Sequence, residues 1–111
     1  MVAETIPVTV AEDAAARVAE LGMQHEFEQM LEHTRQTISR LRQLRVTLEY
    51  DPVHPKDDPQ IVIWAHREVG PPNGSPDLPE WEWNAWQVRT FPPQVFQHFV
   101  LLTVEGDVDG R

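Results

Sequence analysis

Between Met23 and Leu44, the apolar residues Met23, Phe27, Met30, Leu31, Ile38, Leu41 and Leu44, with Thr34 among them, recur at helical spacing. At 100° per residue they form one stripe, wide enough to lie on a sheet and backed by polar residues on the far side. A helix of this kind cannot stand alone, so the rest of the chain must supply the surface it covers. Its charges agree with the helix dipole, with Glu26, Glu28 and Glu32 toward the start and Arg40, Arg42 and Arg45 toward the end. Upstream, Thr9 and Glu12 form a capping-box pattern ahead of an Ala-rich helix to Leu21, and Gly22 stands where a left-handed residue would end it. Gly22 therefore decides between a helix pair and one continuous helix. A continuous helix of about 33 residues would be about 50 Å long, longer than a domain of this size, which is about 35 Å across.

The sheet is expected next. Val46, Leu48 and Tyr50 alternate with Thr47, Glu49 and Asp51, the pattern of a half-buried strand over Arg45 to Asp51. A proline-rich polar loop runs from Pro52 to Pro59, and the β-branched stretch Gln60 to Arg67 returns as the antiparallel partner. The run from Val69 to Glu80 reads as a surface loop, since its prolines cannot donate to a ladder and Asn73-Gly74 favours a tight turn. Trp81, Trp83 and Ala85 then alternate, and Trp86, Val88 and Thr90 continue one residue out of phase, which predicts a third strand with a bulge near Ala85 and Trp86. Pro92-Pro93 is a helix start, and Phe96 and Phe99 keep a helical spacing, so a C-terminal helix is expected; the same run, ending in Val104, also suits a fourth strand. The expectation is one α+β domain over residues 1–111, frayed at about 1–8 and 106–111. It has an N-terminal helix or helix pair packed on a small antiparallel sheet of about three strands, with a C-terminal helix.

Charge and composition narrow the function classes. Nine Lys and Arg face eighteen Asp and Glu, a formal charge of -9, which opposes approach to nucleic acid or to an anionic membrane surface. The sequence contains no Cys, which removes thiolate catalysis, disulfide frameworks and Cys-based zinc sites and suits a reducing cytoplasm. The first residues carry no basic segment followed by an apolar core, and the longest apolar runs, such as Phe99 to Leu102, are far too short to span a bilayer.

Chemistry-bearing patterns are near misses. His25-Glu26-Phe27-Glu28-Gln29 begins like the two-histidine zinc motif, but the second His is Gln29; His25, Glu28 and Glu32 make only a loose row on the polar face. His33 reads as a rim residue of the stripe. Neither His54, Asp57 and Asp58 nor Glu105, Asp107 and Asp109 have the spacing of a calcium loop. Ser39 and Ser75 sit in no nucleophile elbow, and Gly70, Gly74, Gly106 and Gly110 form no phosphate cradle. The arginines Arg35, Arg40, Arg42 and Arg45 are accounted for by a helix C-terminus. No catalytic residue, metal site or cofactor is expected.

The candidate site is aromatic: Trp81, Trp83 and Trp86 lie close together in sequence, and Trp64 lies on the second strand. Indole offers a large apolar area and one donor, which suits a core, a ligand cleft and a protein interface alike. The expected function is a non-enzymatic protein-interaction or regulatory domain that binds another protein, itself as a twofold homodimer, or both. The alternative is a small-ligand domain with a Trp-lined pocket between helix and sheet.

Overall fold

The computed structural model describes residues 6–38, 40–54, 58–68 and 79–105. The expected frayed ends, apart from Ile6, Pro7 and Val8, and most of the loop from Val69 to Glu80 lie outside these residues. In chain order the elements are β1 (Val8–Val10), α1 (Glu12–Leu21), α2 (Gln24–Thr37), β2 (Leu41–Glu49), β3 (Gln60–Arg67), α3 (Pro79–Thr90), the single turn α4 (Pro93–Phe96) and β4 (Phe99–Glu105). The class is α+β, with a four-stranded mixed sheet in the order β1-β2-β3-β4. Only β2 and β3 are antiparallel; β1 runs parallel to β2, and β4 parallel to β3.

Gly22 does end the first helix. It is left-handed at φ 69°, its amide donates to Ala19 and the next amide, of Met23, donates to Val18, the reciprocal closure that glycine permits at a helix end. The continuous helix is excluded, and Ala14 and Val18 are buried against β2 and α2 within the core. Thr9 is not a cap: Val8-Thr9-Val10 pairs with Leu44 to Val46, and Ala11 holds the N-cap position.

Helix α2 stops at Thr37, well before the expected Leu44. Thr34 and Thr37 each donate their hydroxyl to the carbonyl four residues back, Met30 and His33, a bond that weakens a helix's hold on its own end. Arg40 then turns the chain in a left-handed conformation, φ 59°. Leu44, which fits the helical stripe, also fits a β alternation with Val46 and Leu48, and pairing with β3 decides between the two; Leu41, three residues earlier, reaches the same face through the register shift between Leu41 and Gln43. Arg40, Arg42 and Arg45 thus lie beyond the helix, leaving Arg35 as the basic residue of its last turn.

Two further elements differ from expectation. Residues Trp81 to Thr90 are helical, not a bulged strand: Trp83 and Gln87, one helical turn apart, point inward and are 1% and 3% exposed. The predicted C-terminal helix shrinks to one turn after Pro92, and β4 follows, the alternative that the Val100 to Val104 run allowed. The strand Gln60–Arg67 and its antiparallel pairing with β2 are as expected.

The described helices all lie on one face of the sheet. Leu44 and Val46 of β2, Ile61, Ile63 and Ala65 of β3, and Phe99 and Leu101 of β4 form one core with Ala14 and Val18 of α1, Phe27, Met30 and Leu31 of α2, and Trp83 of α3. Phe27 stacks on Phe99 at 6.1 Å, and the Trp83 indole donates to the Thr34 hydroxyl at 2.9 Å. Because β1 and β2 run opposite to β3 and β4 while both crossovers pass over the same face, the two crossovers have opposite hands. One of them belongs to the rare left-handed class.

Ile63, fully buried on the central strand, carries the test of this core. Ile63→Ala is expected to lower unfolding free energy by about 2–5 kcal/mol, whereas Glu28→Ala, on the exposed side of α2, should change it by no more than about 0.5 kcal/mol. Urea denaturation of both variants measures the difference, and an unchanged midpoint for Ile63→Ala would place the core elsewhere.

Candidate functional site

Residues that alternate with the core positions project from the side of the sheet without helices. These are Arg45 and Thr47 of β2, Val62, Trp64 and His66 of β3, and Val100, Leu102 and Val104 of β4. The face is divided. Toward β2 it is polar: the Trp64 indole donates to Thr47 at 2.8 Å, and Thr47 donates to the Glu49 carboxylate at 2.7 Å. The Arg45 guanidinium lies over the Trp64 ring, 5.4 Å from its centroid, a cation–π contact that helps hold the ring in place. Toward β4 it is aliphatic, and Leu102 is 40% exposed.

His66 sits at one end of this face, between Gln43 and Val104 in register. It is only 8% exposed, and its buried Nε2 has no partner among the described residues. Burial, and next the nearby Arg45, hold its pKa below the ordinary imidazole value of 6.5.

The four tryptophans do not line a common cleft. Trp64 is on the helix-free face, while Trp83 and Trp86 are on the helical side, 5.9 Å apart and tilted by 55°. Trp83 belongs to the core. Trp86 is partly buried, stacked flat on His33 of α2 at 3.8 Å and meeting the edge of Phe91 at 5.4 Å. Trp81 points to solvent, 76% exposed. His33 is therefore a rim residue, as its place on the stripe predicts, and burial followed by Arg89 lowers its pKa.

The other sequence candidates are dispersed. His25 and Glu28 are exposed on α2, and Glu32 is engaged by Arg35 and Gln36. His54 contacts Asp51, and Asp58 contacts Arg17; Ser39, Asp57, Ser75, Asp107 and Asp109 lie outside the described residues, as do Gly70, Gly74, Gly106 and Gly110. Among the described residues no three of His, Asp and Glu converge as a metal site, and no helix is long and apolar enough to cross a membrane. Past α2, Arg40 and the 2%-exposed Arg67 both approach the Glu105 carboxylate, at 3.6 and 2.7 Å, and Arg40 Nε also donates to the Glu68 carbonyl. This ion cluster ties the start of β2 to the ends of β3 and β4.

Thr47, His66, Leu102 and Val104 were not among the sequence candidates. The available signal was the unbroken apolar run Ile61-Val62-Ile63-Trp64, which a strand shows when both of its faces are shielded. Set against protein-family models, curated proteins and solved structures, the chain matches none.

His33 and His66 give the domain a pH dependence. Folding holds both rings toward neutrality, so the unfolded chain binds more protons, and stability falls as pH drops from about 6.5 through the folded-state values. Urea midpoints measured from pH 7.5 to 5 should decline, and the double variant His33→Gln/His66→Gln should flatten that decline. An equal slope in the double variant would assign the loss to other groups.

Proposed function

We propose that this chain is a non-enzymatic protein-interaction or accessory domain that docks through the helix-free face of its sheet. The observation that supports this reading is the one-sided placement of the helices, which leaves Trp64, Val100, Leu102 and Val104 on a sheet surface with no second layer among the described residues. Aromatic and aliphatic groups beside an arginine are the composition of interface centres. The acidic remainder of the molecule favours partners that do not present phosphate. The absence of Cys suits work in the cytoplasm. The ligand-pocket reading draws less support, because its proposed lining is divided between opposite sides of the sheet.

The test compares partners retained by the wild-type protein with those retained by Trp64→Ala and Trp81→Ala, each checked for folding by near-UV circular dichroism. A partner cross-linked to β2 or β3, lost with Trp64→Ala and kept with Trp81→Ala, is the expected result. Partners indifferent to Trp64→Ala would remove this face from consideration.

A further inference from the structure

The two edges of the sheet are unlike. β1 is three residues long and preceded by Pro7, the kind of short, proline-flanked strand that discourages pairing. β4 is seven residues long, Phe-Val-Leu-Leu-Thr-Val-Glu, with no proline and no charge before Glu105, and among the described residues no strand lies beyond it. The Ile61 amide donates to the His98 carbonyl. Continued along this parallel ladder, the pattern turns the backbone groups of Val100, Leu102 and Val104 toward β3 and those of Leu101 and Thr103 outward. The outward amides of Leu101 and Thr103 have no acceptor among the described residues.

We infer that β4 pairs antiparallel with β4 of a second copy of this chain, about a twofold axis at Leu102, making one continuous eight-stranded sheet. The register follows from the strand itself. Leu102 is the midpoint of Phe99–Glu105, so centring there pairs Leu101 with Thr103 of the second copy through the outward-facing groups that antiparallel hydrogen bonding requires, while the outward carbonyl of Phe99 at the strand's start is held by Gln87 of α3. Leu102 then meets Leu102 of the second copy in a close, non-hydrogen-bonded pair, and each covers the other's exposed side chain.

Helix α3 supplies a second, independent support. One flank carries Trp86, stacked on α2; the opposite flank carries Glu80, which accepts from Thr103 of β4. Continuing round from Glu80 at 100° per residue come Asn84, Val88 and Trp81, all exposed, with Val88 at 56% and Trp81 at 76%. Asn84 thus flanks the same edge, with the exposed Val88 and Trp81 further round toward the outer side of α3, where the twofold axis brings the two α3 helices toward each other. A strip about 24 Å long and about 20 Å deep, strand plus helix layer, is on the order of 500 Å² per partner before roughness is counted, close to the lower limit of stable interfaces. The charge of -9 on each copy makes the dimer tighten as salt rises toward about 0.15 M, where the screening length is about 8 Å.

The experiment is sedimentation equilibrium of the full chain across protein and salt concentrations. Wild type should approach twice the monomer mass. Leu102→Lys and Leu102→Glu should each dissociate about ten-fold or more readily, because like charges would face each other across the axis. An equimolar mixture of the two should recover the dimer, since Lys would then face Glu. Amide exchange adds a readout without mutation: Leu101 and Thr103 should exchange more slowly in concentrated than in dilute wild type. A strictly monomeric wild type, a dimer indifferent to both substitutions, or exchange at Leu101 and Thr103 independent of concentration would each overturn the inference. Partner retention sensitive to Trp64 would be untouched by that failure, so the two readings fall separately.

Discussion

The hydrogen bond from the Trp83 indole to the Thr34 hydroxyl closes the helical layer. Thr34 itself donates to the Met30 carbonyl, so one buried hydroxyl serves both helices. Without that acceptor, the largest buried side chain of α3 would leave its N–H unsatisfied in the core, a penalty of about 1–3 kcal/mol. Gln87, one turn further along, donates to the Phe99 carbonyl at the start of β4. Trp83 and Gln87 thereby join α3 to α2 on one side and to the edge strand on the other. They seat α3 over β4, whose own place in the sheet, and with it the aliphatic half of the helix-free face, is set by its ladder with β3.

The consequence for function is a division of labour between faces. The helical side holds the densest packing, where Met30, Leu44, Ile61, Ile63 and Trp83 are all at most 1% exposed. The opposite side is assembled from the residues between them, where Val62 and His66 of β3 are also buried. Trp64 is held there from two directions, by Thr47 and by Arg45. An aromatic group fixed before contact loses little side-chain freedom on binding, which favours its use as an anchor.

Much of this was legible in the chain, and the exceptions have physical causes. Gln60–Arg67 could be read because its β-branched run has no helical alternative of comparable strength. Gly22 could be read because it is the kind of residue a left-handed helix end calls for. Leu44 satisfies both a helical stripe and a β alternation with Val46, and Leu41 joins that face only through a register shift, so the boundary between α2 and β2 depended on pairing with β3, a contact remote in sequence. Helix α3 was hidden because its inward positions include the polar Gln87 while Trp81 and Val88 face outward, which cancels the amphipathic signal. For the same reason the four tryptophans suggested one site: proximity in sequence does not reveal which side of a sheet a residue occupies. The helix-free face needed knowledge of where every helix went, which local pattern does not contain.

The opposite hands of the two crossovers bear on how such a chain can have arisen. Its outline, a strand, two helices and a strand followed by another strand, two helices and a strand, looks like one unit copied in tandem. Units of opposite chirality cannot be superposed by any rotation, and a copied unit keeps the handedness of its parent. The first half, Val8 to Glu49, and the second, Gln60 to Glu105, are therefore not two rigid copies of one ancestral piece, and the apparent repeat is a likeness of order alone.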